Sequence, residues 1–209
     1  MPFASPQLRV ATALSLLYCG SYGVADAEVV ARKHFSYFDI KGDTADALDA
    51  ALNARGPVTM GASSHHPGAT KIRFGGNATY TQRNGRCYID GVKITVDIDI
   101  ILPRWRDRRN ASRQLSQIWD TLSADIKRHE ERHAEIAREH AREMEKAILA
   151  LPPQDDCDTL QDKANAATMQ QTQFHDEDQA RFDKIEAINF QDRIRRLFTY
   201  RNSARETAR

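Results

Sequence analysis

Residues 86–103, "RCYIDGVKITVDIDIILP", decide the fold. Ile94, Val96, Ile98 and Ile100 alternate with Thr95, Asp97 and Asp99, and alternation at period two marks a strand with one face on a core and the other in water. Past Pro103 that period stops. From about Asn110 to Leu151 there is neither Gly nor Pro, and Leu115, Ile118, Trp119, Leu122, Ile126, Ile136, Met144 and Ile148 recur at steps of three and four. This spacing predicts a long helix. "LPPQDDC" (151–157) breaks it, and a second breaker-free segment runs from about Asp158 to Phe198. The second half therefore reads as an antiparallel helical hairpin over about 110–198.

Upstream of the alternating strand, "RNGR" (83–86) carries Asn84-Gly85, a strong hairpin signal, after a first strand in "KIRFGGNATYTQ". Residues 58–69 are rich in Gly, Ser, His and Pro and read as loop. "DTADALDAALNARGP" (43–57) has Asp43 or Thr44 as a cap, Ala47, Leu48, Ala51 and Leu52 at helical spacing, and a Gly56-Pro57 stop. "KHFSYFDIKG" (33–42) reads as a further strand. The expected architecture is α+β: a small antiparallel sheet with one short helix, packed against a long antiparallel helical hairpin. One domain is expected over 28–200, its β-rich half at about 34–104.

The ends carry different information. The first 27 residues read as an export signal: Arg9 is the only charged residue before Asp26, "VATALSLLYCGSYGVA" is apolar but short, and Ala25-Asp26-Ala27 fits cleavage after Ala27. A lipid anchor at Cys19 is the competing reading, and bulky Tyr18 disfavours it. The expected location is the periplasm or the outside of the cell, with no stable membrane insertion once the signal is cut. Two cysteines, Cys87 and Cys157, then remain in a compartment where disulfides persist, and an even pair suggests one bridge. The basic run "RIRRLFTYRNSARETAR" reads as a helix end followed by a disordered tail over 201–209. With 30 Lys plus Arg against 29 Asp plus Glu and a net charge of +1, no global field favours nucleic acid.

"RHEERHAEI" (128–136) carries the chemistry. Positions four apart share one helix face, so His129 and His133 can offer imidazole nitrogens to one zinc ion. Glu130, adjacent to the first, is placed to act as general base on a metal-bound water. The competing reading is a solvated helix face, because Lys127, Arg128, Glu131 and Arg132 crowd the flanks. A catalytic site needs a third protein ligand and an open position. His140 fails, since eleven residues of rise carry it roughly 16 Å from His129, and it reads as a surface histidine. If the hairpin turns near Pro153, residues near 131 lie level with residues near 177, which brings His175, Asp178, Asp183 and Glu186 into range. Spacing alone does not choose among them. His65 and His66, in the loop, are candidates to stabilise an oxyanion.

Nearly all of the chain beyond the signal resembles the predicted secreted zinc-dependent proteases of Gram-negative bacteria, a domain-of-unknown-function family with an HExxH motif. "YFDIKGDTADALDAALNARGP", "RCYIDGVKITVDIDIILPRW", "IKRHEERHAEIA", "PPQDDCDTL" and "QARFDKIEA" carry the similarity. The resemblance implies zinc on His129 and His133, Glu130 as base, and Cys87 bridged to Cys157. It prefers Glu186 as third ligand, with Asp183 as ligand or as partner of one. Some members have a histidine two residues after the Glu186 position, where this chain has Ile188. The expected activity is hydrolysis of peptide bonds in a peptide or protein substrate. The alternative is a non-catalytic envelope interaction protein with a structural or vestigial metal.

Overall fold

The computed structural model describes residues 26–58 and 65–207. Cys19 and nearly all of the expected signal lie outside the described residues, as does 59–64 of the expected loop. The element order is β1 (Asp26–Ile40), α1 (Ala45–Arg55), β2 (Ala69–Arg83), β3 (Arg86–Trp105), a short 3-10 turn (Arg108–Asn110), α2 (Arg113–Leu149) and α3 (Cys157–Thr207). The α+β class holds, with a small sheet, one short helix and two long packed helices.

β3 is the central strand, in the order β1-β3-β2. Its alternation works as expected: Val92, Ile94, Val96, Ile98, Ile100 and Leu102 are buried on one face, while Asp97 on the other pairs with Arg32 of β1. β2 joins β3 antiparallel through Asn84 and Gly85, both at positive φ (51° and 72°), the conformation this two-residue hairpin turn needs. The sheet is mixed rather than wholly antiparallel, because β1 runs parallel to β3, with Phe35 opposite Ile100. Residues 41–68, with α1 among them, are long enough to cross over and bring β1 to the far side of β3.

The buried face of β3 lies on α2. Ala134, Ala137 and Ala141 are buried there among Ile126, Met144 and Ile148, and their small side chains leave room for the branched residues of the strand. A second cluster of Ile40, Leu48, Leu52, Trp105, Leu115 and Trp119 seats α1. The helix starts are capped: Thr44 Oγ1 accepts from Ala47 N–H (3.1 Å), Ser112 Oγ from Leu115 N–H (3.2 Å) and Asp156 Oδ1 from Thr159 N–H (2.7 Å).

Cys87 and Cys157 form a disulfide, joining the start of β3 to the start of α3. Beside it, Cys87 and Gln154 exchange two backbone hydrogen bonds (2.8 and 3.0 Å). α3 does not stop near 200: it stays helical to Thr207, over most of the stretch expected to be a disordered tail, because no Gly or Pro interrupts it. Among the described residues no helix is long and apolar enough to cross a membrane.

Candidate metal centre

His129 and His133 stand one turn apart on α2, facing α3 rather than bulk water. Their Nε2 atoms are 3.0 Å apart, and Asp183 Oδ1 of α3 lies 3.3 Å from the first and 3.0 Å from the second. Four donors at zinc-ligand distances from one centre sit roughly 3.3 Å from one another in a tetrahedron. The three atoms thus have the spacing of three corners, so these residues fit a zinc ion. Asp183 is half exposed, with 55 % of its side chain accessible, so the cluster has an open side for a fourth ligand.

The far sides of the rings fix their orientation. His133 Nδ1 donates to Gln179 Oε1, and the Gln179 amide nitrogen donates back to the His133 carbonyl oxygen (3.1 Å). His129 Nδ1 lies 3.6 Å from Glu186 Oε2, and its ring stacks on Phe182 with centroids 4.9 Å apart. The Gln179 bond turns His133 Nε2 toward the cluster, while His129 is placed by its stacking on Phe182, its Nδ1 lying near Glu186 but beyond hydrogen-bond distance. Burial lowers the His133 pKa, but the Asp183 and Gln179 contacts outweigh it and the net shift is upward. For Asp183 burial acts upward, yet hydrogen bonds from the two imidazoles hold the carboxyl well below the usual range. An electron-rich pocket that draws in a proton suits a cation equally well.

Glu186, the preferred third ligand, is held elsewhere. Its carboxylate takes a hydrogen bond from Arg128 and lies 3.2 Å from Arg193 Nη2, on the Nδ1 side of His129. Both arginines also bind buried Asp125 (2.9–3.1 Å). Burial pushes the Asp125 carboxyl up, the hydrogen bonds from Arg193 and Arg128 pull it down further, and its net pKa is below the ordinary value. The helices meet in a register with 179 opposite 133 and 183 opposite 129, about one turn beyond the expected level. The other candidates are displaced accordingly. His175 binds Asp176 (2.9 Å) and Gln179 (2.8 Å), and Asp178 binds His140 (2.9 Å). His140 is not a surface residue, since only 12 % of its side chain is accessible.

Glu130 points to the sheet. It is 5 % exposed, and Thr70 Oγ1, at the start of β2, lies 2.9 Å from both its Oε2 and its carbonyl oxygen. Gly68 packs on the same carboxyl: a Cβ there would come within 2.9 Å of Glu130 Oε1. Burial raises the Glu130 pKa, and the Thr70 hydrogen bond and the two imidazoles oppose that only in part. His65 Nδ1 is engaged by the Gly56 carbonyl oxygen. Gln179 and Thr70 escaped the sequence reading. For Gln179 there was a signal, its place midway between His175 and Asp183 at four-residue steps; for Thr70 there was none.

The model of the bacterial family of unknown function DUF922 matches residues 35–190. The chain belongs to that family. The match takes in β1 from Phe35, the whole hairpin, α2 with His129 and His133, and α3 beyond Asp183 and Glu186. No curated protein and no solved structure matches the chain. The DUF922 segment thus contains every side chain of the cluster and the two cysteines of the disulfide.

Proposed function

We propose that this DUF922 chain is a zinc-dependent peptidase of the bacterial cell envelope, with zinc held by His129, His133 and Asp183. The observation that carries the reading is the meeting of two Nε2 atoms and a carboxylate oxygen at 3.0–3.3 Å, with His133 Nδ1 bonded to the Gln179 amide oxygen on the far side. Three such atoms so close repel unless a proton or a metal cation lies among them, and zinc would take the place of the proton. Bound zinc would supply Lewis acidity, polarising a peptide carbonyl and acidifying water.

Glu130 takes the proton from the attacking water and returns it to the leaving amine. Its burial favours this work, because a carboxylate lifted toward neutral pH can both accept and give up a proton. Thr70 holds one carboxylate oxygen at 2.9 Å and so limits its rotation. Asp183 leaves an approach from solvent. The disulfide is compatible with an oxidising compartment, which supports export.

The same burial of Glu130 favours a second reading, a structural metal site in a non-catalytic envelope protein, since a sealed carboxylate reaches a substrate only if Gly68 and Thr70 shift. Zinc content and peptide cleavage separate the two. For the peptidase, the purified chain retains one zinc, His129→Ala loses it, and Glu130→Gln keeps it while cleavage stops. Tight zinc with no cleavage across a peptide library would overturn the enzyme and leave the structural role; no retained zinc would overturn both.

A further inference from the structure

We propose that Gln179 and His175 are positioning residues that fix the tautomer of His133, so that its Nε2 presents a lone pair to the cluster. The inference rests on His133 being a metal ligand, but it concerns a proton on the ring and can be read without the metal. A primary amide can sit in two orientations related by a half turn, and the partners of Gln179 select one. Its Nε2 faces the His133 carbonyl oxygen at 3.1 Å and His175 Nε2 at 2.8 Å. A carbonyl oxygen only accepts, so the amide nitrogen must lie on that side. His175 adds a second acceptor there, because its Nδ1 donates to Asp176 Oδ1 at 2.9 Å and leaves Nε2 with a lone pair. With the amide nitrogen so committed, Oε1 is left for His133 Nδ1, which must carry the hydrogen.

Reversing the amide would set Oε1 against two acceptors and its N–H groups against His133 Nδ1. The ring would then move its proton to Nε2, into the cluster, where it would displace a metal. His175 is itself held: it is 6 % exposed, with Phe74 of β2 edge-on at 5.0 Å and His140 of α2 at 5.7 Å between ring centroids. The chain of contacts runs from Asp176 through His175 and Gln179 to His133, and its donors and acceptors alternate throughout.

The test combines imidazole 15N NMR of the metal-free chain, at a pH high enough for His133 to be neutral, with zinc affinity by chelator competition, on the parent, Gln179→Met, Gln179→Glu and His175→Phe. Gln179→Met keeps the length without the hydrogen bonds; it should shift His133 away from the Nδ1–H form and weaken zinc about 10–100-fold. Gln179→Glu restores an acceptor for Nδ1 but loses the amide donor to the His133 carbonyl oxygen and His175 Nε2, so it should restore the Nδ1–H form of His133. His175→Phe should shift the ring in the same direction as Gln179→Met, by less. Parental tautomer and affinity in Gln179→Met would overturn the proposal, and an unshifted ring in His175→Phe would remove His175 from it. If Gln179→Met does not fold, the other two variants decide. A parent that binds no zinc would sink the metal reading, while the NMR of that same chain still decides the role of Gln179.

Discussion

Asp183 and Glu186, three residues apart on one helix, divide the work at His129. Asp183 reaches Nε2 with a carboxylate half open to water, whereas Glu186 stands behind the ring under two arginines. Asp183→Ala is therefore expected to abolish zinc retention on gel filtration, and Glu186→Gln to weaken zinc by about 10–100-fold without abolishing it. Equal losses in both would assign the third ligand wrongly. Protons compete for the same atoms. His133 in the metal-free chain has a pKa above its unfolded value of 6.5, so the folded form binds more protons in the interval between the two. Its contribution to stability is full below pH 6.5 and is lost as the pH rises through the folded value. Urea midpoints of the metal-free chain, compared for the parent and His133→Gln, should converge across that interval. Zinc binding should release protons, which calorimetry in buffers of different ionisation enthalpy detects.

Asp125 bolts α2 to α3, at 5 % exposure with two arginines on its oxygens. Asp125→Asn leaves Arg193 half-satisfied and should cost about 3 kcal/mol by denaturant titration at pH 7. The difference should shrink in acid, because a carboxylate with a depressed pKa stabilises the fold above its unfolded value and stops doing so as pH falls through the folded one. Within the sheet, Ile100 is fully buried on the α2 side, and Ile100→Ala should cost about 2–5 kcal/mol. Such elements were legible: the buried face of β3 follows from its alternation, the hairpin from Asn84-Gly85, and the extent of α2 from its unbroken spacing. The parallel placement of β1 was not, since strand order depends on which side of β3 the crossover lands, and no side chain of "KHFSYFDIKG" encodes that. The site was half legible for a related reason. Two histidines on one helix need only the helical repeat, but choosing between Asp183 and Glu186 needs the offset between two helices to within one turn, and that is set by the joint at Gln154 and Cys157.

At the scale of the whole molecule that joint ties the β-rich half to the helical half. Cys87 and Cys157 close a loop with a sequence separation of 70 residues, and the chain-entropy account of such a loop gives a ceiling of about 4 kcal/mol. Replacing both by Ser should lower the unfolding free energy by about 2–4 kcal/mol, measured by urea titration of the parent under oxidising conditions against the variant. The covalent link does more than resist unfolding. It anchors α3 at its first residue, so Gln179, Asp183 and Glu186 inherit their azimuth by counting turns from a fixed origin. Inserting one residue between 157 and 179 would swing all three by about 100°, whereas adding seven, about two turns, would restore their direction but slide them along the axis. Much of that interval faces water, yet its length acts as a ruler, so a one-residue deletion there would turn Gln179, Asp183 and Glu186 away from the two histidines while sparing every atom of the cluster.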